Sequence, residues 1–255
     1  MSLIVPRPPL DVAEISKRIS QYWRVSVVEV TGSTQDDIAA KISCGDALHG
    51  DVLVSDFQSA GRGRLDREFE AAPSSALTFS FFIEPERDRD EWGFIPLLTG
   101  LAVVFALQEI DPRVVTQLKW PNDLLITDSK LGGIISQAAG NGVIIGVGIN
   151  VAMNAGELPV SHATSLYLND FAQLNRNYLL PAFLKHFEEL FSRWQKGEDL
   201  RHLYREKSAT IGCSIRVELP GGKTLEGQAL DISAHGELIL DDGTRVSVGD
   251  VVHLR

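Results

Sequence analysis

Cysteine is nearly missing: 255 residues contain only Cys44 and Cys213, isolated and without a C-x-x-C pair. No disulfide framework can be built from them, and a reducing, cytoplasmic setting suits such thiols. The six histidines are scattered without metal-ligand spacing, which argues against a structural zinc site. A basic surplus is also lacking. Twenty-four Lys and Arg stand against 34 Asp and Glu, a net charge of -10, unlike the basic surface of a general nucleic-acid binder. The start, MSLIVPRPPLD, has no apolar core long enough for a signal peptide. The longest apolar pattern, Ile95 to Ile110, is shorter than the ~20 residues of a membrane span. Repeats and low-complexity segments are absent. What is present is an ordinary globular composition, with room for one large domain or for a large one and a small one.

Taken in order, Pro6 to Pro9 is an extended lead-in. Asp11 is placed to cap a helix with apolar positions Val12, Ile15, Ile19 and Tyr22 or Trp23. Arg24 to Val30 alternates as a strand. Thr31-Gly32-Ser33-Thr34 turns into a helix starting near Gln35, and Ser33 and Thr34 read either as its cap or as hydroxyls facing a ligand. Asp51 to Phe57 and Leu77 to Ile83 are strands, the second buried. Glu84 to Glu91 is a solvated charge run. Trp92 to Ile110 is a buried helix with Pro96 in its first turn. Gly140-Asn141-Gly142 makes a tight turn before the core strand Val143 to Asn150, and Val151 to Ala163 is irregular. Asn177 to Gln195 is a long amphipathic helix whose stripe, Leu180, Phe183, Leu184, Phe187, Phe191 and Trp194, is core material. Glu198 to Lys207 is a further helix. After Ser208 come short strands (Ile215 to Leu219, Thr224 to Ile232, Glu237 to Leu240, Arg245 to Leu254) parted by Gly-Gly, His-Gly and Asp-Gly turns, which predicts a small β-barrel packed on a larger α+β domain.

Two stretches carry chemistry. Lys119 to Gly133, KWPNDLLITDSKLGG, reads as one β-hairpin: Gln117 to Trp120 enters, Pro121-Asn122 bends it, Thr127-Asp128-Ser129 is turn material, and Ile134 to Gln137 is the partner strand. Lys130 stands beside paired glycines that permit close approach to the backbone, with Asn122-Asp123 nearby, which suits an anion. Upstream, Gln58-Ser59-Ala60-Gly61-Arg62-Gly63-Arg64-Leu65-Asp66-Arg67 is a loop with three guanidiniums in six residues, forks matched to phosphate oxygens. Alone, it could equally be a solvated loop or a nucleic-acid patch. Together the two stretches suggest an enzyme that holds a polyphosphate.

From about Val28 to the C-terminus the chain resembles the biotin–protein ligases. The resemblance rests on Ser33-Thr34, on Gln58 followed by Gly61-Arg62-Gly63-Arg64, on Lys119-Trp120-Pro121-Asn122-Asp123, on Lys130-Leu131-Gly132-Gly133-Ile134 and on Gly146-Val147-Gly148-Ile149-Asn150. It implies an α+β fold: a catalytic domain like that of class II aminoacyl-tRNA synthetases over 1–207, and an SH3-like β-barrel over 208–255. It implies a reaction in which biotin and ATP give biotinyl-5′-AMP and pyrophosphate, after which a lysine of a biotin carboxyl carrier protein domain takes the biotin and AMP leaves. Lys130, Arg62, Arg64 and Asp123 would then be catalytic. Ser33, Thr34, Gln58, Gly61, Arg62, Lys130, Gly132 and Gly133 would hold biotin. Arg64, Arg67, Phe69, Lys119, Asn122, Lys130 and Asn150 would hold ATP. Mg²⁺ would bridge the phosphates without a dedicated set of protein ligands. Nucleic acid and membrane are not expected as partners, and the oligomeric state, monomer or weak homodimer, is left open.

The sequence departs from the family pattern in places. Leu65 and Asp66 stand where relatives often carry Arg and Gly, reducing the loop's charge, and Phe69 replaces a Trp. Gly132 stands where many relatives carry Ala, which reads as a mild change. Only about thirty residues precede the first landmark, too few for a DNA-binding domain ahead of the core, so repressor activity is not expected. Rival readings are a lipoate or octanoate transferase on the same catalytic fold, a non-catalytic biotin or adenylate sensor, and a nucleic-acid binder using the arginine loop.

Overall fold

A computed structural model describes residues 5–65 and 67–254; Asp66, one of the two charge-reducing departures, lies outside the described residues. Strands β1 (Arg24–Thr31), β2 (Asp51–Gln58), β3 (Ala76–Ile83), β4 (Thr116–Lys119), β5 (Asp123–Ile126), β6 (Ser129–Ala139) and β7 (Gly142–Asn150) form one mixed sheet, ordered β1-β2-β3-β7-β6-β5-β4. Only the β1–β2 pair is parallel.

Period-two alternation gives this sheet two different faces. Val52, Val54, Phe79, Phe81, Ile145 and Val147 meet α3 (Ile95–Ile110) and α4 (Arg176–Gln195) in the main core. There Phe81 packs edge-on to Phe187, with ring centroids 4.7 Å apart, and the whole α4 stripe is buried as the periodicity predicts. Leu53, Phe82 and Ile144 point the other way and meet Ile38 of α2 (Thr34–Cys44) in a smaller cluster. The even-numbered positions nearer the strand ends, Thr78, Ser80, Gly146, Gly148 and Asn150, are small or polar. On that face the chain leaves a cavity instead of a core. The 3-10 turn Arg89–Phe94 and α3 together give a helical stretch long and apolar enough to cross a membrane, but α3 is buried between α4 and the sheet.

Several elements differ from the sequence reading. The central stretch is three strands, β4, β5 and β6, not one hairpin, because Pro121-Asn122 makes a second reversal; the Trp120–Pro121 peptide is cis. Helix α1 (Val12–Ser16), capped by Asp11 as expected, stops well short of Trp23. The chain must turn there to send Trp23 beneath the sheet against Phe81 and Phe187 before entering β1. Helix α5 is only Arg201–Lys207. The last predicted strand is two strands, separated by Ser247 to Gly249.

Residues 214–253 form a second, fully antiparallel sheet, β11-β10-β9-β8-β12, from β8 (Ser214–Glu218), β9 (Thr224–Ile232), β10 (Leu238–Leu240), β11 (Arg245–Val246) and β12 (Asp250–His253). Specific contacts fix it to the first sheet. Ala209 N donates to Leu118 O (2.8 Å), and the Trp120 indole, 1% exposed, donates to Gly236 O (3.0 Å). Gly93 and Gly236 meet backbone to backbone: a Cβ on either would come within 2.2 Å of a carbonyl oxygen of the other segment.

Candidate active site

The cavity holds about 560 Å³, within the range of small-molecule sites. One part of its wall is a neutral polar cluster. Thr34, at the start of α2, gives both its backbone N–H (2.8 Å) and its hydroxyl (3.0 Å) to Gln58 Oε1 at the end of β2. The same hydroxyl lies 2.8 Å from Ser80 Oγ, which donates to Gln35 Oε1 (3.3 Å). Ser33 occupies the cap position of α2, yet its side chain makes no capping bond; it is buried on the cavity wall. Neither hydroxyl caps the helix: Thr34 is engaged with Gln58 and Ser80, and Ser33 faces the cavity.

The arginine loop is a small hairpin. Phe69 N donates to Gly61 O (2.8 Å) and Gly63 N donates to Arg67 O (2.7 Å), so that Arg62 and Glu68 face each other as an antiparallel backbone β-bridge. Gly61 is required at the neck, since a Cβ there would meet Phe69 O at 2.4 Å. Gly61 itself is not among the residues lining the cavity, although its neighbours Gln58, Arg62 and Phe69 are. Arg62 pairs with Asp36 of α2 at 2.6 Å. Arg64 Nη1 donates to Asn122 Oδ1 (3.2 Å) and to Asp250 Oδ1 (3.2 Å), and Arg67 pairs closely with the other oxygen of Asp250. Burial pushes the Arg64 pKa below the usual guanidinium range, against the pull of Asp250 and Asp123. The Phe69 ring fills the space over Gly148, where an added Cβ would lie 2.7 Å from a ring carbon.

Lys130 Nζ lies 2.5 Å from Asp123 Oδ1. A β-bulge makes the surroundings of this pair. Between Leu124 and Leu125 the pairing shifts by one, leaving Leu131 as the extra residue of β6. Strict alternation would put Lys130 and Gly133 on opposite faces. The bulge puts both on the cavity face with Asp123, while Leu131 and Ile134, also three apart, both enter the core. The backbone of Lys130 is clasped from outside the sheet: its N–H donates to His162 O and its carbonyl accepts from Thr164 N, each at 2.8 Å. Asn150 Nδ2 secures the same segment through Thr164 O (2.9 Å). Gly132 is less tolerant than its sequence context suggests, since a Cβ there would meet Gly148 O at 2.1 Å.

The remaining predicted residues, Lys119, Asn122, Gly133 and Asn150, also line the cavity. Five cations therefore surround one cavity in an acidic chain. Four of them, Arg62, Arg64, Arg67 and Lys130, are held by carboxylates. The sequence reading missed Gln35, Thr78 and Ser80, the segment Pro159 to Ala163, and Glu218 and Asp250 from the second sheet. Thr78 and Ser80 carry a signal, two hydroxyls at period two in an otherwise apolar strand. Asp250 carries none. Among the described residues no three His, Cys, Asp or Glu come together as a metal-binding group.

Residues 27–154 match the biotin/lipoate A/B protein ligase family, and 210–254 match the biotin protein ligase C-terminal domain. The chain is 38% identical to a biotin–[acetyl-CoA-carboxylase] ligase of Mycobacterium tuberculosis, covering 98% of this chain and 97% of that protein. It is 29% identical to the bifunctional ligase/repressor BirA of Bacillus subtilis, covering 84% of this chain and 68% of that one. The fold superposes with a TM-score of 0.78 on a biotin protein ligase from Aquifex aeolicus in complex with biotin and ATP, at 26% identity, covering 91% of this chain and 99% of that chain. This chain belongs to the biotin protein ligase family.

Proposed function

We propose that this chain activates biotin with ATP and transfers it to a lysine of a biotin carboxyl carrier protein domain. The observation that carries the reading is a single cavity lined by both a neutral hydrogen-bonding cluster, Thr34, Gln58 and Ser80, and five cations. The cluster suits an uncharged polar head group such as the cyclic urea of biotin. The cations suit a carboxylate meeting a triphosphate.

In the first step a carboxylate oxygen of biotin bonds to the α-phosphorus, the bond to the β-phosphate breaks, and pyrophosphate leaves. Two anions must be brought together, so positive charge and alignment matter more than proton transfer. Lys130, anchored by Asp123 and by its clasped backbone, is the cation for the carboxylate and the α-phosphate. Arg62 closes over the biotin carboxylate, Arg64, Arg67 and Lys119 face the polyphosphate, and Phe69 covers the ligand. Ser33, Gly132 and Gly133 shape the biotin pocket. In the second step the acceptor amine attacks the mixed-anhydride carbonyl, the amide forms and AMP leaves. Asp123 orients that amine and holds its proton. Mg²⁺, when bound with the nucleotide, would offset phosphate charge, and the amide groups of Asn122 and Asn150 would be the neutral protein groups beside it.

The larger sheet with its helices, residues 1–207, is read as a class II synthetase-like catalytic domain. Residues 208–255 are read as an SH3-like barrel. The setting proposed is the cytoplasm. The test is biotin-dependent exchange of labelled pyrophosphate into ATP, without carrier, in the wild type and in Lys130→Ala. Exchange that needs biotin and collapses in the variant supports the reading. Exchange with lipoate or octanoate in place of biotin would move the chain to the sister activity, and biotin binding without exchange would make it a sensor.

A further inference from the structure

We propose that Asp250 is an internal counter-anion that occupies the phosphate-binding arginines before nucleotide arrives, so that nucleotide affinity is set by competition with this one carboxylate. The inference rests on the reading of the cavity as an ATP site.

Three observations place Asp250 in that role. First, its two oxygens take one guanidinium each, Oδ1 from Arg64 and Oδ2 from Arg67, as two oxygens of a phosphate would. Second, it belongs to another part of the chain. The arginines sit on a loop of the first sheet, whereas Asp250 opens β12 of the second, which the Trp120–Gly236 and Leu118–Ala209 bonds hold in place. The carboxylate is thus the fixed partner and the loop the one able to exchange. Third, the two arginines are unequally held. Arg64 is 21% exposed and is braced by Asn122 as well, whereas Arg67 is 64% exposed and has Asp250 as its salt-bridge partner. Such an exposed pair contributes little and opens readily.

The electrostatics give the direction of the effect. A triphosphate entering the cavity must draw these guanidiniums from Asp250, and it then lies close to a carboxylate that is 24% exposed, only partly screened, and no longer neutralised. Both terms oppose nucleotide binding. They reverse when pyrophosphate leaves, since Asp250 can recapture the arginines. The carboxylate therefore weakens ATP binding and favours pyrophosphate release, while biotin, bound through the neutral cluster, is unaffected.

Steady-state pyrophosphate exchange with Asp250→Asn tests this. The apparent KM for ATP is expected to fall about three- to tenfold, the size expected from relieving one or two partly exposed ion pairs, with the KM for biotin unchanged. Asp250→Glu should keep the wild-type value, and in an Arg67→Ala background Asp250→Asn should lose most of its effect. A purely structural carboxylate would instead raise the KM for ATP, or both KM values together, when neutralised. Either result, or no change at all, overturns the proposal. Asp250→Ser serves as a second neutral variant; if neither neutral form folds, Asp250 is a strut and the proposal ends. Wild-type protein without biotin-dependent exchange would refute the ligase reading itself, a separate outcome.

Discussion

Lys130 and Asp123 form an ion pair of 2.5 Å on the cavity face of β5 and β6, beside a bulge that carries Lys130 and Gly133 to the same side. The two residues are expected to separate the two half-reactions. Lys130→Ala should lower pyrophosphate exchange about 10²- to 10³-fold, the loss typical when one preorganised charge is removed from a developing transition state. Asp123→Asn keeps the shape and removes the charge. It should leave exchange within about tenfold while slowing transfer from preformed adenylate to a carrier lysine about 10²-fold or more. The measurement is exchange beside single-turnover transfer. Equal losses in both assays would reduce Asp123 to an anchor for Lys130.

Gly148 and Phe69 are a second close pair on the cavity wall. The three nearest atoms to a methyl group at 148 would all be ring carbons of Phe69, at 2.7, 2.9 and 3.0 Å. The ring can swing away, so Gly148→Ala should leave the thermal midpoint within a few degrees of the wild type. Ligand affinity should fall severalfold, because the ring no longer covers the cavity. Isothermal titration with biotin and a nonhydrolysable ATP analogue, beside a thermal melt, reads both. A midpoint drop with unchanged affinity would assign the glycine to packing.

Much of this site is legible in the chain because its cations are local: Arg62, Arg64 and Arg67 share one loop, and Lys119, Asn122, Asp123 and Lys130 share one meander. Helix α4 was legible for the same reason, since a 3.6-residue stripe is a local pattern. What the chain does not display is long-range. Asp250 meets Arg64 across 186 positions, and no neighbour of Asp250 in sequence marks it as a partner. The bulge at Leu131 is equally silent, because Lys130-Leu131-Gly132-Gly133 fits a regular strand as well. Helix α1 is shorter than its pattern: Ile19 and Trp23 continue the apolar spacing, but Trp23 is buried after the helix has ended, against Phe81 and Phe187.

Arg176 is almost fully buried and pairs closely with Asp56 of β2, while also donating to the carbonyls of Pro8 (3.0 Å) and Ala76 (3.3 Å). It thereby ties the N-terminal lead-in to α4 and the sheet. Arg176→Met keeps the apolar stem but leaves the Asp56 carboxylate, still bonded by Leu10 N and Ser74 Oγ, without its cation, and takes a donor from two carbonyls. The expected cost is about 3–5 kcal/mol, the usual penalty for removing one partner of a buried pair. Urea unfolding measures it, and a loss under about 1 kcal/mol would mean that water replaces the guanidinium readily.

His49 links stability to pH. Its Nδ1 accepts the backbone N–H of Glu84 at 2.8 Å, and its ring lies edge-on to Tyr22, with centroids 5.0 Å apart. Burial lowers its pKa below the ordinary 6.5, with Glu84 pulling the other way and Arg24 adding to the fall. The folded state therefore binds the proton less readily than the unfolded chain. Stability from this group is complete above the unfolded value and is lost as pH falls through 6.5 toward the lower folded value. His253, lowered by burial and then by Lys119, adds a contribution of the same sign. Urea midpoints should consequently drop between pH 7.5 and pH 5 on about the histidine titration range. His49→Asn, whose Oδ1 can accept the same N–H, should be less stable at neutral pH through the lost ring contacts, yet show a shallower fall. An unchanged slope in that variant would place the pH dependence elsewhere, with His253→Asn the next to compare.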